Sequence, residues 1–377
     1  MKLFEVYPLI PVTIVRAEGC RLWDEKGTEY LDLYGGHAVI SIGHSHPHYV
    51  KRISEQLSSL GFYSNSIQIP IQQALANKLA EQSCLHEYQL FLVNSGAEAN
   101  ENAIKMASFS TQKSGFISFS GAFHGRTSAA VALTDNPKLI APCNAREDFH
   151  ILPWGDLGEV EKVLAKNPIA GILIEGIQGV GGIQVPSPEF LLGLAKLAKQ
   201  WGVKLILDEV QSGYGRTGRF FAHQWVEGFQ PDLITVAKGM GNGFPLGGLL
   251  LSPEFKPSYG LLGTTFGGNH VACAAGLAVL EVMEMEKLQA NALLLGEKLI
   301  TALKSIPGVK DVRGKGLMVG IDLDRDAAPV RNELVNRYKI FTGSAATKET
   351  IRVLPPLSIQ WNQLHSFVDA LTQALNN

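Results

Sequence analysis

The stretch from Asp232 to Gly243 reads Asp-Leu-Ile-Thr-Val-Ala-Lys-Gly-Met-Gly-Asn-Gly, with its lysine at position 238. The apolar run that precedes Lys238 predicts a short buried strand, and glycines follow the lysine at once. A strand end holds a side chain rigidly, and glycines let another backbone or a ligand come close. Because a desolvated lysine loses its proton more readily, Lys238 is a candidate Schiff-base nucleophile. For an isolated match, a solvated lysine at a strand end is the alternative interpretation.

A second apolar strand pattern ends in an acid upstream of this stretch, at Lys204-Leu-Ile-Leu-Asp208. Pyridoxal phosphate requires a lysine for its aldehyde and a carboxylate for its ring nitrogen. The carboxylate keeps the ring protonated, so that the ring can draw electrons from a carbanion. Two neighbouring parallel strands would present Asp208 and Lys238 at the same edge of a sheet, although Asp208 alone also fits a helix N-cap after a strand.

A candidate phosphate site lies near residue 95. Residues 88–93 predict a strand, residues 94–100 a turn, and residues 101–108 a helix. Free backbone N–H groups at a helix start, beside the hydroxyl of Ser95 and the glycine at position 96, suit a dianionic phosphate. Together with Asp208 and Lys238, this turn would complete three anchors for the cofactor.

Five sequence strings give the chain a resemblance to a known family, the class III pyridoxal-phosphate aminotransferases. The strings follow the family's order: S-G-A-E-A-N (95–100), F-H-G-R-T (123–127), D-E-V-Q (208–211), A-K-G (237–239) and T-T-F-G-G-N (264–269). The resemblance extends over residues 19–356. Two further strings, G-H-S-H-P (43–47) and R-G-K-G-L-M (313–318), are similar to the acetylornithine branch of the family.

The resemblance implies roles for the residues that surround the cofactor ring. Lys238 would bond to the cofactor aldehyde and then move a proton between substrate and cofactor carbons. Asp208 would pair with the pyridinium nitrogen, and Gln211 would approach the ring hydroxyl. Phe123 would stack on the ring, a task for which an aromatic face is suited.

The resemblance also implies residues for the phosphate and the substrates. Backbone N–H groups of Gly96 and Ala97 would bind the phosphate, with Ser95 close by. Thr265 would reach the phosphate of the neighbouring subunit, and Thr264 would lie beside the substrate there, so that a homodimer shares its active sites. Two arginines would hold substrate carboxylates, because a planar guanidinium matches a carboxylate bidentately. They are Arg126 and Arg352.

One motif departs from the family. The family usually reads E-P-I-Q-G-E-G-G, whereas residues 175–182 read E-G-I-Q-G-V-G-G, with Gly176 and Val180 at the changed positions. In relatives the second glutamate lies near the arginine that matches Arg352 and serves as its switchable partner. Val180 cannot ionise, so we expect a more positive pocket that suits a more anionic amine donor. Neutral drift compensated elsewhere is the alternative.

The function implied is transfer of the side-chain amine of N2-acetyl-L-ornithine or N2-succinyl-L-ornithine to 2-oxoglutarate. The products would be the N-acyl glutamate semialdehyde and glutamate, within arginine biosynthesis. The same motifs serve aminotransferases of ornithine, 4-aminobutyrate and other ω-amino acids, and also an aminomutase. A pyridoxal-phosphate-binding protein without catalysis is the alternative from a different class.

The fold class predicted is α/β. Short apolar strands alternate with helical patterns such as residues 188–199, which indicates a mostly parallel sheet covered by helices on both faces. The resemblance implies fold type I of the pyridoxal-phosphate-dependent transferases, with a sheet of the seven-stranded type and a small α+β domain built from both chain ends. We expect residues 1–45 in the small domain, residues 46–268 in the large domain, and residues 269–377 in a connecting helix and the rest of the small domain.

Composition favours a cytoplasmic enzyme acting on small molecules. The 377 residues include 33 Lys and Arg against 35 Asp and Glu, a net charge of -2 that argues against nucleic acid or a membrane surface as main partner. The four cysteines are scattered without a C-x-x-C pair, and we predict no metal site. The N-terminal apolar run is too short and interrupted for a signal peptide.

Two other motifs are expected to be non-functional matches. Residues 213–218 fit G-x-G-x-x-G, but five residues separate them from the preceding strand, so the tight strand-to-helix turn of a dinucleotide site is missing. His44, His46 and His48 alternate as metal ligands sometimes do. Pro47 and Gly43 mark a loop there, and a structural or substrate-channel loop is the preferred interpretation.

Overall fold

A computed structural model describes residues 1–376 of the chain. Its strands are β1 (Ile14–Glu18), β2 (Arg21–Asp24), β3 (Glu29–Asp32), β4 (Gln89–Val93), β5 (Gly115–Phe119), β6 (Phe149–Leu152), β7 (Ile169–Glu175), β8 (Lys204–Asp208), β9 (Leu233–Val236), β10 (Gly247–Leu251), β11 (Val309–Lys315), β12 (Met318–Leu323), β13 (Ile340–Phe341), β14 (Gly343–Ser344) and β15 (Thr350–Val353). Its α-helices are α1 (Gly35–Ala38), α2 (Pro47–Ser59), α3 (Pro70–Ser83), α4 (Gly96–Thr111), α5 (Ser128–Ala132), α6 (Leu157–Lys166), α7 (Pro188–Trp201), α8 (His270–Met285), α9 (Leu288–Leu303), α10 (Ala327–Asn336) and α11 (Trp361–Asn376).

A seven-stranded sheet forms the centre of the molecule, in the order β4-β10-β9-β8-β7-β5-β6. Strands β9, β8, β7, β5 and β6 pair in parallel, and β10 is antiparallel to both of its neighbours. Every residue of β5, β7, β9 and β10 is buried, as expected for strands covered on both faces. The predicted α/β class and the seven-stranded type of sheet are confirmed.

Helices cover both faces of this sheet because each turns an apolar stripe toward it. On one face, Phe190, Leu194 and Leu197 of α7 pack with strand residues such as Ile172 and Leu205. On the other face, Ala103 and Ala107 of α4 are buried with residues of β7 and β10. Small alanines let α4 approach the strands closely, which brings its N-terminus to the edge of the sheet where the functional residues lie.

Two smaller four-stranded sheets are formed by the N-terminal and C-terminal parts of the chain. The first has the order β1-β2-β3-β13, in which β13 from the C-terminal part pairs in parallel with β3. The second has the order β11-β12-β15-β14. A turn joins β2 to β3, where Oδ1 of Asp24 accepts the N–H groups of Lys26 and Thr28 and Gly27 has a φ of 80°.

Most element boundaries agree with the sequence patterns, but α4 begins at Gly96 instead of residue 101, so most of the turn predicted over residues 94–100 is helical. The apolar run predicted as a strand before Lys238 forms β9, and the connecting helix expected after residue 268 is α8. The domain boundaries at 45/46 and 268/269 stay predictions, and residue 377 lies outside the described part of the chain. Within residues 1–376, no helix combines the length and apolarity needed to cross a bilayer.

Candidate active site

A cavity of about 410 Å³ opens at the carboxyl ends of the parallel strands. This is the edge at which open α/β sheets bind their ligands, since the loops that leave the strands converge there. Side chains from the ends of β4, β7, β8 and β9 contribute to the wall. The predicted residues that line the cavity are Ser95, Gly96, Ala97, Phe123, Arg126, Asp208, Gln211 and Lys238.

Lys238 and Asp208 lie on neighbouring strands, as predicted. Asp208 pairs with Thr235 in the parallel register of β8 and β9, and Lys238 lies two residues after the end of β9. Burial lowers the pKa of Lys238 below its ordinary value, and the carboxylates of Asp208 and Glu175 oppose this only in part. Lys238 also has a φ of 44°, a left-handed conformation that costs about 1–3 kcal/mol for a non-glycine residue. The fold therefore holds a readily neutralised amine in a fixed orientation.

A hydrogen-bond network fixes the carboxylate of Asp208. Nδ2 of Asn100 and Nδ1 of His124 both lie 2.8 Å from Oδ2 of Asp208, and the N–H of Val210 donates to Oδ1 over 3.0 Å. Asn100 is fixed in turn by the hydroxyl of Thr235, which donates to its Oδ1 over 2.7 Å. Asp208 is buried, so these donors replace the water it loses. Its carboxylate is therefore positioned to bind a protonated ring nitrogen.

The turn into α4 forms the expected anion cradle. Ser95 is the N-cap residue, and its Oγ accepts the N–H of Glu98 over 3.2 Å. A Cβ atom on Gly96 would lie 2.7 Å from Cγ1 of Val210, so only glycine fits without a shift. The N–H groups of Gly96 and Ala97 begin the helix and are free of intrahelical partners by geometry. A phosphate fits this cradle.

A buried carboxylate ties the Phe123 loop to the sheet. Glu175 accepts the N–H of Phe123 over 3.0 Å and the N–H of Gly179 over 2.8 Å. Burial raises the pKa of Glu175 to about 7, although its hydrogen bonds and the nearby His124 act in the opposite direction. Phe123 is therefore held at the cavity wall by its backbone, which leaves its ring free to pack on a ligand.

Arg352 lies behind Gln211. It is only 3% exposed, its Nη1 lies 3.4 Å from Oε1 of Gln211, and its Nε donates to the carbonyl oxygen of Ser344. Gln211 also donates to the carbonyl oxygen of His37 over 3.1 Å. No carboxylate within residues 1–376 lies in ion-pair distance of Arg352, so this buried cation has no direct salt bridge.

Arg126 and Val180 line the mouth of the same cavity. Arg126 is exposed, with its guanidinium carbon 6.0 Å from the ring centroid of Phe123. Val180 presents an apolar side chain, and its carbonyl oxygen accepts the N–H of Ala346 over 2.9 Å. Since Nε of Arg352 donates to the carbonyl oxygen of Ser344 in β14, Val180 and Arg352 both border residues 344–346.

The structure does not bring Thr264 and Thr265 to Lys238 within one chain. Thr264 lines a separate cavity with Asn65, and its Oγ1 accepts the N–H of Gly267 over 3.1 Å. Nδ2 of Asn94, at the edge of the main cavity, lies 3.4 Å from Oγ1 of Thr264. Thr265 is exposed. Their predicted roles toward a neighbouring subunit stay predictions.

The three alternating histidines do not converge on a common centre. His44 bonds to Asp32, His46 to Glu286 and His48 to Glu281, each through Nε2. Within the described residues, no group of three His, Cys, Asp or Glu side chains is placed to hold a metal ion. The loop is therefore anchored at three separate points, which agrees with its structural interpretation.

Two residues of the site were not assigned roles from the sequence. Asn100 and His124 stand inside motifs that were recognised, yet their contact with Asp208 depends on tertiary structure. One signal was available for Asn100, because it lies four positions after Gly96 and therefore on the same face of α4. For His124, nothing in the sequence separates it from a buried structural histidine.

The arrangement fits pyridoxal phosphate. A buried acid, a desolvated lysine on the next strand, an aromatic wall and a glycine-dependent anion cradle surround one cavity. These groups match the ring nitrogen, the aldehyde, the ring face and the phosphate of that cofactor.

Comparisons with known proteins agree with this geometry. The family profile described as aminotransferase class-III matches residues 5–375. The acetylornithine aminotransferase of Bacillus subtilis (strain 168) is 39% identical over 382 residues, which cover 99% of this chain and 97% of that protein. Its counterpart from Methanothermobacter thermautotrophicus is 37% identical over 382 residues, covering 100% and 96%.

Solved structures show the same fold. Ornithine aminotransferase from Toxoplasma gondii, in a structure described as revealing partial occupancy of PLP at the active site, superposes with a TM-score of 0.90 at 28% identity over 98% of this chain and 90% of that one. A Bacillus anthracis aminotransferase superposes with a TM-score of 0.90 at 28% identity over 99% and 96%. The chain belongs to the class-III aminotransferases and is an enzyme that depends on pyridoxal phosphate.

Proposed function

We propose that this enzyme transfers the side-chain amine of an N2-acylated ornithine to 2-oxoglutarate, giving the N-acyl glutamate semialdehyde and glutamate. The names of relatives at 37–39% identity support the acylornithine donor. The observation that carries the proposal is a pair of arginines without an ion-pair partner among residues 1–376: Arg126, which lines the cavity of Lys238, and Arg352, which contacts the lining residue Gln211. Two substrates that take turns in one site, each carrying a carboxylate, require such anchors.

The residues of the chain divide the chemical work between them. Pyridoxal phosphate, when bound, supplies an electron sink for the carbon that loses its proton. The amine of Lys238, whose pKa is lowered by burial, accepts that proton and returns it at the end of the half-reaction. The fixed carboxylate of Asp208 would bind the ring nitrogen of the cofactor. Phe123 and Val180 line the cavity, narrow it and exclude water.

A homodimer with shared active sites is part of the proposal. Thr264 and Thr265 sit beside exposed apolar side chains, among them Phe62 and Phe266, whose ring centroids are 5.4 Å apart. Asn65 links these segments, since its Nδ2 donates to the carbonyl oxygens of Thr264 and Gly267. An apolar patch of this kind indicates a protein–protein interface, and a second copy would carry both threonines to its partner's cavity.

We further propose that the reaction belongs to arginine biosynthesis in the cytoplasm. Free cysteines at positions 20, 84, 143 and 273 support a reducing compartment. A near-neutral net charge supports small molecules, rather than nucleic acid or a membrane, as the main ligands.

A half-reaction tests the donor. Purified holoenzyme is mixed with N-acetyl-L-ornithine, N-succinyl-L-ornithine, L-ornithine or 4-aminobutyrate, without an oxo acid, and the cofactor absorbance is followed. We expect conversion to pyridoxamine phosphate with an N-acylornithine and recovery of the starting spectrum when 2-oxoglutarate is added. Conversion only with ornithine or 4-aminobutyrate would contradict the acylornithine donor.

Two controls separate the remaining alternatives. Lys238→Ala should bind the cofactor but give no conversion. Sustained turnover without 2-oxoglutarate would indicate an aminomutase, and an inert wild-type holoenzyme would indicate a binding protein without catalysis.

A further inference from the structure

The backbone turn that carries Lys238 contains two non-glycine residues in the left-handed region. Lys238 has a φ of 44° and Asn242 a φ of 47°. Such a conformation is disfavoured for a lysine, although asparagine tolerates it better. Within the turn, the N–H of Gly241 donates to the carbonyl oxygen of Lys238, and the N–H of Phe244 donates to that of Gly241, each over 3.0 Å. A strained conformation persists only where the surrounding structure holds it, so contacts from outside the turn must contribute.

The side chain of Asn242 links this turn to a distant segment of the chain. Its Oδ1 accepts the N–H of Ser41 over 2.8 Å and that of Ile42 over 3.1 Å, and its Nδ2 donates to the carbonyl oxygen of Gly43 over 3.0 Å. Asn242 is only 5% exposed, so water does not replace these bonds if they are lost. The three bonds span 199 to 201 positions of sequence, and they therefore fix the turn relative to the rest of the fold.

The hydroxyl of Ser41 makes a second link, next to Lys238 itself. Ser41 is buried, and its Oγ donates over 2.7 Å to the carbonyl oxygen of Gly239, the residue that follows Lys238. A third link lies further along the turn, where the hydroxyl of Tyr49 donates to the carbonyl oxygen of Gly241 over 2.6 Å. The same N-terminal part of the chain therefore holds the turn at several points.

We propose that Asn242 and Ser41 are positioning residues that keep Lys238 in the conformation from which its amine reaches the cofactor aldehyde. This inference rests on the proposed role of Lys238 as the residue that bonds to the cofactor. In that step the nitrogen of the neutral amine adds to the aldehyde carbon, and its two protons leave with the aldehyde oxygen as water. If the turn relaxed, Lys238 would have to return to its strained conformation before this bond could form.

The two forms of the cofactor distinguish this role from general structural support. Pyridoxamine phosphate carries an amine in place of the aldehyde, so it forms no bond to Lys238. Its affinity should therefore not depend on the conformation of Lys238, whereas the affinity for pyridoxal phosphate should. A merely structural role of Asn242 would affect the binding of both forms equally.

The test compares the dissociation constants of the apoenzyme for pyridoxal phosphate and for pyridoxamine phosphate. Asn242→Gly removes the amide, while glycine accepts the φ of 47° without strain. We expect this variant to raise the dissociation constant for pyridoxal phosphate about tenfold, the factor that corresponds to the preference against a left-handed lysine. The dissociation constant for pyridoxamine phosphate should stay at the wild-type value.

Ser41→Ala provides a second variant, which removes only the bond to Gly239 and keeps the test decisive if Asn242→Gly fails to fold. It should change the ratio of the two dissociation constants in the same direction. Gln82→Ala is the control, because it removes a bond between α3 and the carbonyl oxygen of Leu280 in α8, and it should keep the wild-type ratio. A wild-type ratio in the folded variants, whether or not both affinities fall, overturns the positioning role of Asn242 and Ser41.

Lys238→Ala separates that outcome from a failure of the role proposed for Lys238. It should raise the dissociation constant for pyridoxal phosphate relative to that for pyridoxamine phosphate, since the bond to the aldehyde is lost. If Lys238→Ala changed the ratio and the other two variants did not, only the positioning role would be overturned. If Lys238→Ala also left the ratio unchanged, the role of Lys238 itself would be overturned.

Discussion

Asn100 donates a hydrogen bond from Nδ2 to Oδ2 of Asp208 over 2.8 Å, from a helix on one face of the sheet to a strand within it. The same oxygen lies 2.8 Å from Nδ1 of His124. A carboxylate held by two side-chain donors cannot rotate without breaking both bonds. The orientation that Asp208 presents to the cofactor therefore depends on Asn100 and His124.

Asn100→Ala is expected to weaken cofactor binding. It removes one donor to Asp208. It also leaves the hydroxyl of Thr235, which donates to Asn100 over 2.7 Å, without its acceptor. A hydrogen bond to a charged group contributes about 1.5–3 kcal/mol, so the dissociation constant for pyridoxal phosphate should rise about tenfold or more. Titration of the apoenzyme with the cofactor measures this.

Asn102→Ala is the matched control, because Asn102 lies on the same helix but donates only to the carbonyl oxygen of Glu98. Its cofactor affinity should equal that of wild type. If Asn100→Ala also bound the cofactor normally, the carboxylate of Asp208 would not need this donor.

Lys238→Met is expected to stabilise the apoenzyme at neutral pH. Burial lowers the pKa of Lys238 in the folded state, so the unfolded chain binds more protons and the buried lysine opposes folding. The destabilisation of the folded state by Lys238 is greatest below the pKa of the folded state. It decreases as the pH rises toward 10.5, the pKa of a free lysine. Thermal unfolding between pH 7 and pH 10 should show an advantage for the variant that shrinks with pH.

The control for this series is Lys199→Met, which changes an exposed lysine near the end of α7. It should leave the unfolding temperature nearly unchanged at every pH. An advantage of Lys238→Met that stayed constant with pH would point to added apolar contact instead of a removed charge.

The sequence predicted the central sheet well because its strands are apolar on both faces. The apolar run before Lys238 forms β9, as predicted. Asp208 and Lys238 lie at the carboxyl ends of adjacent parallel strands, as expected. Such strands can be recognised from a short run of apolar residues, without knowledge of what the run packs against.

The contacts between distant segments could not be predicted in this way. Asn100 meets Asp208 across 108 positions of sequence, and Arg352 meets Gln211 across 141 positions. Asn100, considered alone, also fits a surface position. The partners of Asn100 and Arg352 are set by helix packing and sheet register, which a single sequence does not specify.

Asp232→Asn is expected to stabilise the enzyme at alkaline pH. Burial raises the pKa of Asp232 to about 7, and the hydrogen bond with Glu254 acts in the same direction. Because the folded pKa exceeds the unfolded one, the stability contributed by the bound proton is full below about pH 3.8 and is lost as the pH rises through 7. An asparagine can still accept the N–H of Leu205, which donates over 2.6 Å, while carrying no charge.

Denaturant unfolding at pH 5 and pH 8 measures this effect. The free energy of unfolding of Asp232→Asn should exceed that of wild type by about 1–2 kcal/mol at pH 8 and by less at pH 5. Asp369→Asn, which changes an exposed acid of α11 outside this cluster, should show no such pH dependence. Equal gains at both pH values would show that Asp232 is ionised throughout.

Phe266→Asp is expected to weaken the proposed dimer and the cofactor site together. Phe266 is 60% exposed in the single chain and adjoins Thr265, so a charge there should oppose burial of the patch by a second copy. Analytical ultracentrifugation should show dissociation at concentrations at which wild type stays dimeric. A monomer that bound pyridoxal phosphate with wild-type affinity would contradict a shared site.

Mixed dimers decide whether Thr265 acts across the interface. Lys238→Ala removes the reactive amine, and Thr265→Val removes the hydroxyl proposed to bind the partner's phosphate. If each site combines Lys238 of one subunit with Thr265 of the other, a dimer of the two variants contains one intact site and one doubly altered site. Refolding an equal mixture should then restore about one intact site in four, since half of the dimers are mixed. If Thr265 served its own chain instead, mixing would restore no activity beyond that of the Thr265→Val enzyme, because every site would still lack one of the two groups.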